Sequence, residues 1–133
     1  MTSDVCFTDM LATFAALVDA KLPDNAGEDS YNLLPLLLGE KRATPLRKEM
    51  VIGTDMNNFN IRHGDWKLIP FLGSGGMSKP SKIKPKPGEP AGQLYNLAND
   101  PSETTNLYLQ HPEIVAELTT LFEQMRGKAR SRP

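Results

Sequence analysis

Apolar side chains recur along this chain with two different periods, and the change of period divides it into three stretches. Over residues 5 to 19, Phe7, Met10, Leu11, Phe14, Leu17 and Val18 fall on one helical stripe, with Ser3 or Asp4 as the cap and Pro23 as the stop. A polar loop with Pro23, Asn25 and Gly27 follows. Ser30 to Leu38 reads as a short second helix ending at Gly39. Its leucines, Leu33, Leu34, Leu36, Leu37 and Leu38, leave almost no polar side, which predicts burial between other elements.

Beyond Glu49 the period falls to two. Glu49 to Thr54, with Val51 and Ile52, predicts a first strand, and Asn58 to Arg62 a second with Phe59 and Ile61 on one face. Trp66 to Ile69 makes a third, Trp66 and Leu68 sharing a face, so His63-Gly64-Asp65 reads as the hairpin turn. "GSGGMSKPSKIKPKPGEP" is too rich in Gly, Pro and Lys to build a core and predicts a long loop before a fourth strand, Gln93 to Leu97. Asp100-Pro101-Ser102-Glu103 then has the cap, the proline and the acidic residue of a helix start. Ile114, Leu118, Leu121, Phe122 and Met125 form the stripe of a closing helix that starts at His111-Pro112-Glu113 and ends at Gly127. The predicted class is α+β. A small four-stranded antiparallel sheet packs against the C-terminal helix, Trp66 and Leu68 facing Leu118, Phe122 and Met125, and two N-terminal helices precede it that the sheet does not need.

Composition narrows the partners. The 133 residues are one domain's worth, and 15 basic against 16 acidic residues give no global field, so no nucleic-acid partner is expected. The longest apolar run, Leu33 to Leu38, is too short for a membrane span, and Met1-Thr2-Ser3-Asp4 lacks the basic start and apolar stretch of a signal peptide. The single cysteine, Cys6, excludes an internal disulfide and a multi-cysteine metal cage.

Candidate chemistry is sparse. His63 in a turn and His111 at a helix start read as exposed polar residues, and no His, Cys, Asp or Glu group has metal-ligand spacing. The GSGG at 73 to 76 could cradle an anion with its backbone N–H groups, but without the Lys-Ser/Thr of a phosphate loop it competes with a plain flexible connection. Lys79, Lys82, Lys84 and Lys86 make the same loop locally cationic, able to meet an anionic polymer or simply solvated. Cys6 lies at a helix start, where a thiolate is stabilised, but has no base in view and reads as inert. No catalytic residue and no metal ligand is assigned.

In their order, "EDSYNLLPLLLGE", "FNIRHGDWKLIPFLGSGG", "GQLYNLANDPSETTNL" and "HPEIVAELTTLFEQMR" resemble the C-terminal end of the sulfatase family, the arylsulfatase-like sulfuric ester hydrolases. The likeness runs from Cys6 to about Arg132 and includes an Asp-x-x-x-Thr helix at Asp9 to Thr13. It implies an alkaline-phosphatase-like parent fold, with 1–45 a helical remnant of the catalytic α/β domain and 46–133 the C-terminal subdomain. It also implies, for the complete enzyme, a formylglycine made in a Cys/Ser-x-Pro-x-Arg motif and a calcium ion held by acidic residues and Asn. Cys6 is followed by Phe7-Thr8-Asp9-Met10 and does not match that motif. Thr54 and Asp55 stand where many relatives carry His-Ser on the active-site side, and with His63 they are the substrate-proximal residues the resemblance implies. The expected partner is a catalytic domain or a second copy, and the family is commonly exported. Two alternatives stay open: a free-standing module that binds an anionic glycan or protein through its Lys/Pro loop, and a phosphoester or phosphonate hydrolase parent.

Overall fold

A computed structural model describes residues 4–55, 58–128 and 130–132. The chain forms two compact units: residues 1–48 with 125–133, and residues 49–124.

In the first unit a 3-10 turn, Phe7–Asp9, leads into α1, Met10–Leu17, and a later single turn, Leu34–Leu37, is α2. The predicted cap is corrected. Asp9 reaches back to accept the Cys6 N–H at 2.7 Å, closing the first turn from inside the helix, whereas Ser3 lies outside the described residues. The second helix is much shorter than its apolar run predicts. The Tyr31 and Leu33 amides donate to Asp9 and Thr13 side chains instead, at 3.0 and 2.9 Å, which holds residues 30–33 out of helical pairing. Of the leucine cluster only Leu33 is buried, while Leu37 and Leu38 are exposed, so the first unit covers the cluster only in part.

The second unit carries an antiparallel sheet of order β1-β2-β3-β4, with β1 Glu49–Asp55, β2 Asn58–His63, β3 Trp66–Ile69 and β4 Gln93–Asn96. His63 closes β2 opposite Trp66, leaving Gly64 and Asp65 as a two-residue turn. Gly64 takes φ +56°, which L side chains rarely adopt. The register aligns Val51, Ile61, Leu68 and Leu94 in one row across the four strands. Ile61, Leu68 and Leu94 are each 2% exposed or less, a burial that contributes about 1.5–3 kcal/mol per side chain.

The cover is α3, Pro112–Lys128, which buries Leu118 and Phe122. His63 lines a hollow with Ala116, Glu117 and Thr120 of this helix, and the Trp66 ring lies 5.3 Å from that of His111 just ahead of it. Since His63 and Trp66 share a face with Leu68, α3 lies over the apolar row. The helix runs through Gly127 to Lys128 rather than stopping at the glycine, and its last turn, from Met125, groups with the first unit.

The helix start expected at Asp100 is a turn. The Asp100 carboxylate accepts from the Thr104 and Thr105 amides, both at 2.8 Å, and from the Thr104 hydroxyl, so the chain closes on itself before a helix can propagate. α3 begins at Pro112.

Candidate functional site

Thr54, Asp55 and His63 occupy opposite ends of the β1–β2 hairpin. Asp55 pairs with Asn58 beside the bulge at Thr54, whereas His63 pairs with Glu49 at the far end. Glu49 and Asp55 are therefore roughly 20 Å apart along the strand, and the three residues do not converge. His63 Nδ1 is 3.5 Å from Glu49 Oε1, and its ring edges the hollow beside α3. That pair can orient an imidazole, and the neighbouring Thr120 hydroxyl is engaged in donating to the Ala116 carbonyl.

The glycine-rich segment is braced by its own backbone bonds. Leu72 and Ile83 form an isolated antiparallel bridge, and the Ser74 and Gly75 amides donate to the Pro80 and Ser81 carbonyls at 3.1 and 2.9 Å. With the Gly76 amide on Ser74 Oγ, three N–H groups of the GSGG are spent internally, which removes the anion cradle. On its sheet side the loop gives its carbonyls away. Asn58 Nδ2 donates to Gly75, and Gln93 Nε2 to Phe71 and Gly73, so a buried and a part-buried amide side chain pin the loop to the sheet face opposite α3. Lys79, Lys82, Lys84 and Lys86 point outward, exposed. Beneath Lys79 lies an open hollow of about 580 Å³ floored by Leu72, Pro80, Ile83 and Pro90.

The corner after β4 is held by side-chain amides. Asn106 Oδ1 accepts from the Leu94 and Tyr108 amides and its Nδ2 donates to the Gly92 carbonyl, each at 3.0 Å. Lys67 Nζ meets Glu103 at 2.6 Å on the same sheet face as Tyr95. Burial, then the Glu103 and Asp100 charges, raise the Tyr95 phenol above its ordinary range. Bonds from the Thr104 and Thr105 amides hold the Asp100 carboxyl low. Among the described residues no three His, Cys, Asp or Glu side chains gather as a metal site.

Around Asp9 lies a cluster that sequence reading found only in part. Asp9 is wholly buried and forms an ion pair with Arg47, whose guanidinium stacks 4.4 Å above the Tyr31 ring. Thr13 donates to the Asp9 carbonyl and accepts the Leu33 amide, and Ser30 Oγ accepts the Ala12 amide. The Asp-x-x-x-Thr spacing marked Asp9 and Thr13, but nothing local marks Arg47 or Tyr31 as their partners. Cys6, part-exposed at the edge, has its thiol pulled below the usual range chiefly by a hydrogen bond from the Thr8 side chain.

No family model matches the chain. It is 34% identical over 121 residues, 90% of its length, to an N-acetylgalactosamine-6-O-sulfatase of Bacteroides thetaiotaomicron, and 27% identical over 131 residues to arylsulfatase K of Gallus gallus. A solved Bacteroides thetaiotaomicron structure, described under the metabolism of multiple glycosaminoglycans, superposes with a TM-score of 0.67 at 37% identity over 90% of this chain. The chain spans less than a quarter of these proteins, 23%, 22% and 24% of their lengths, and matches their C-terminal part.

Proposed function

The chain corresponds to the C-terminal portion of a sulfatase, and from that premise we propose that its biochemical meaning is sulfate-ester hydrolysis by a complete enzyme of which it forms the closing subdomain. The observation that carries the reading is the extent of the match, nine-tenths of this chain against less than a quarter of the relatives. Sulfated sugars are the substrates to assay, because the Bacteroides relative is named for one.

Sulfatases of this type normally use formylglycine and calcium. Neither fits the residues here. Cys6-Phe7-Thr8-Asp9-Met10 lacks the proline and arginine of the formylglycine motif, and no acidic cluster gathers among the described residues. The nucleophile and the metal ligands therefore belong to a catalytic portion outside this chain, and this chain contributes β-sheet, α3 and the corner that joins them. Reading the coding DNA ahead of Met1 tests the proposal: an in-frame Cys/Ser-x-Pro-x-Arg supports it, and an unrelated gene there overturns it.

One observation favours a second reading. Four exposed lysines stand on one loop, and one of them, Lys79, edges an open hollow, a disposition suited to an anionic glycan. Changing all four to Gln and comparing salt-dependent retention on immobilised heparin tests it. Retention unaltered by the changes removes this reading.

A further inference from the structure

A segment that follows a closing helix is ordered only where something ties it down, and residues 130–132 are tied by several hydrogen bonds. Ser131 and Arg132 both donate their amides to the Glu28 carbonyl, at 3.2 and 3.0 Å, and the Ser131 amide also donates to Asp29 Oδ1 at 2.9 Å. The Arg132 guanidinium donates to the Pro23 carbonyl at 3.0 Å, and the Tyr31 hydroxyl to the Ser131 carbonyl. Every partner lies within residues 23–31, a loop with no helix or strand of its own, 100 or more positions earlier for Tyr31 and Pro23. The end of that loop feeds the buried cluster around Asp9. Ser30 Oγ accepts the Ala12 amide, the Tyr31 amide donates to Asp9 Oδ1, and the Tyr31 ring lies 4.4 Å from the guanidinium of Arg47, the ion-pair partner of Asp9. Asp9 in turn accepts the Cys6 amide. Tyr31 therefore holds residues 130–132 with its hydroxyl and the cluster with its ring and its amide.

We propose that residues 130–132 are a strap that fastens the Asp9–Arg47 cluster through Tyr31, and that proteolysis beside the basic residues of this segment releases it. Lys128-Ala129 and Arg130-Ser131 are bonds that a trypsin-like protease cuts, and residues 130–132 are only part-buried. Either cut adds one water across the amide, leaving a carboxylate on the basic residue and an amino group on the next, and needs no other reactant. All of the strap's bonds run through Ser131 or Arg132, so either cut carries them away together. The coupling is reciprocal, because two local equilibria that share Tyr31 bias each other by the same free energy. Loss of the strap loosens the cluster and the turn at Cys6, and loss of the ion pair loosens the strap. The device stands on this chain's own bonds and does not depend on the sulfatase reading.

The test compares the full 133-residue chain with a chain ending at Lys128 and with Tyr31→Phe, which keeps the ring beside Arg47 but drops the bond to Ser131. Amide exchange at Cys6 and Tyr31 should quicken several-fold in the shortened chain and by a smaller factor in Tyr31→Phe. The part-exposed Cys6 thiol should likewise react several-fold faster with an aromatic disulfide reagent in the shortened chain. Exchange at Ile61 and Leu68, buried in the second unit, should stay level, which separates release of the strap from global unfolding. In the other direction, Arg47→Met should speed trypsin cleavage at Arg130–Ser131 several-fold, since cleavage follows the population of the open strap. Three results overturn the proposal: equal exchange at Cys6 and Tyr31 in all three chains, exchange at Ile61 and Leu68 that quickens as much as theirs, or an unaltered cleavage rate in Arg47→Met.

Discussion

Asp9 and Arg47, 38 residues apart in sequence, meet as a buried ion pair, with side chains 0% and 5% exposed. Asp9 Oδ1 also accepts the Tyr31 amide at 3.0 Å, and Arg47 lies over the Tyr31 ring, so one carboxylate ties the start of α1 to two later segments.

Removing one partner of such a pair leaves a buried, unmatched charge. Arg47→Met should therefore destabilise the first unit by about 3–5 kcal/mol. The measurement is amide exchange at Tyr31 and Leu33, whose bonds to Asp9 and Thr13 depend on the arrangement. Unchanged protection at both amides would show that the pair is dispensable.

The apolar row of the sheet gives a graded prediction. Leu68, 2% exposed between Ile61 and Leu94, should cost about 2–5 kcal/mol on truncation to Ala. Trp66 is only part-buried against His111, so Trp66→Ala should cost less than truncation of a fully buried aromatic. Urea denaturation of both variants decides the order, and a larger loss for Trp66 would mean that α3 covers that corner more completely.

Asp100 supplies the pH dependence. Its carboxyl is held low by the Thr104 and Thr105 amides, so it binds its proton more weakly folded than unfolded. Its contribution is present above the unfolded value of about 3.9 and is lost as pH falls through the lower folded value. Exchange protection of the Thr104 and Thr105 amides should fall in that acid window, and Asp100→Asn should weaken it at neutral pH. Protection in the wild type that stays level below the folded value would contradict the assignment.

Gly73 is required by its backbone. At φ +98°, a Cβ would lie 2.7 Å from the Ser81 carbonyl oxygen. Gly73→Ala should therefore open the Leu72–Ile83 bridge at a cost of about 1–3 kcal/mol, read as faster exchange of the Ile83 amide.

The free chain should release no sulfate from an aryl sulfate, with or without calcium, since it lacks the formylglycine motif. Turnover that copurifies with this chain through successive columns would refute the division of labour proposed above.

The strands, their order along the chain and the closing helix were legible from period alone, because Val51, Ile61, Leu68, Leu94 and Leu118 alternate or repeat as sheet and helix geometry demands. The resemblance to a sulfatase was legible for a related reason: the hairpin phrase and the corner phrase are local, and local sequence specifies tight turns. Period could not tell that the leucine run stops after one turn of helix, since the competing bonds come from Asp9 and Thr13, 22 and 20 residues earlier. Nor could it tell that Asp100 closes a turn instead of capping a helix, a choice made by which amides its carboxylate reaches. Thr54, Asp55 and His63 are grouped by the resemblance alone, and where each lies along the β1–β2 hairpin is set by the antiparallel pairing. Above all, the stripe of α1 does not reveal what holds the helix from its other side. Asp9 and Arg47 lie 38 residues apart, and only the tertiary structure brings the buried carboxylate to its cation.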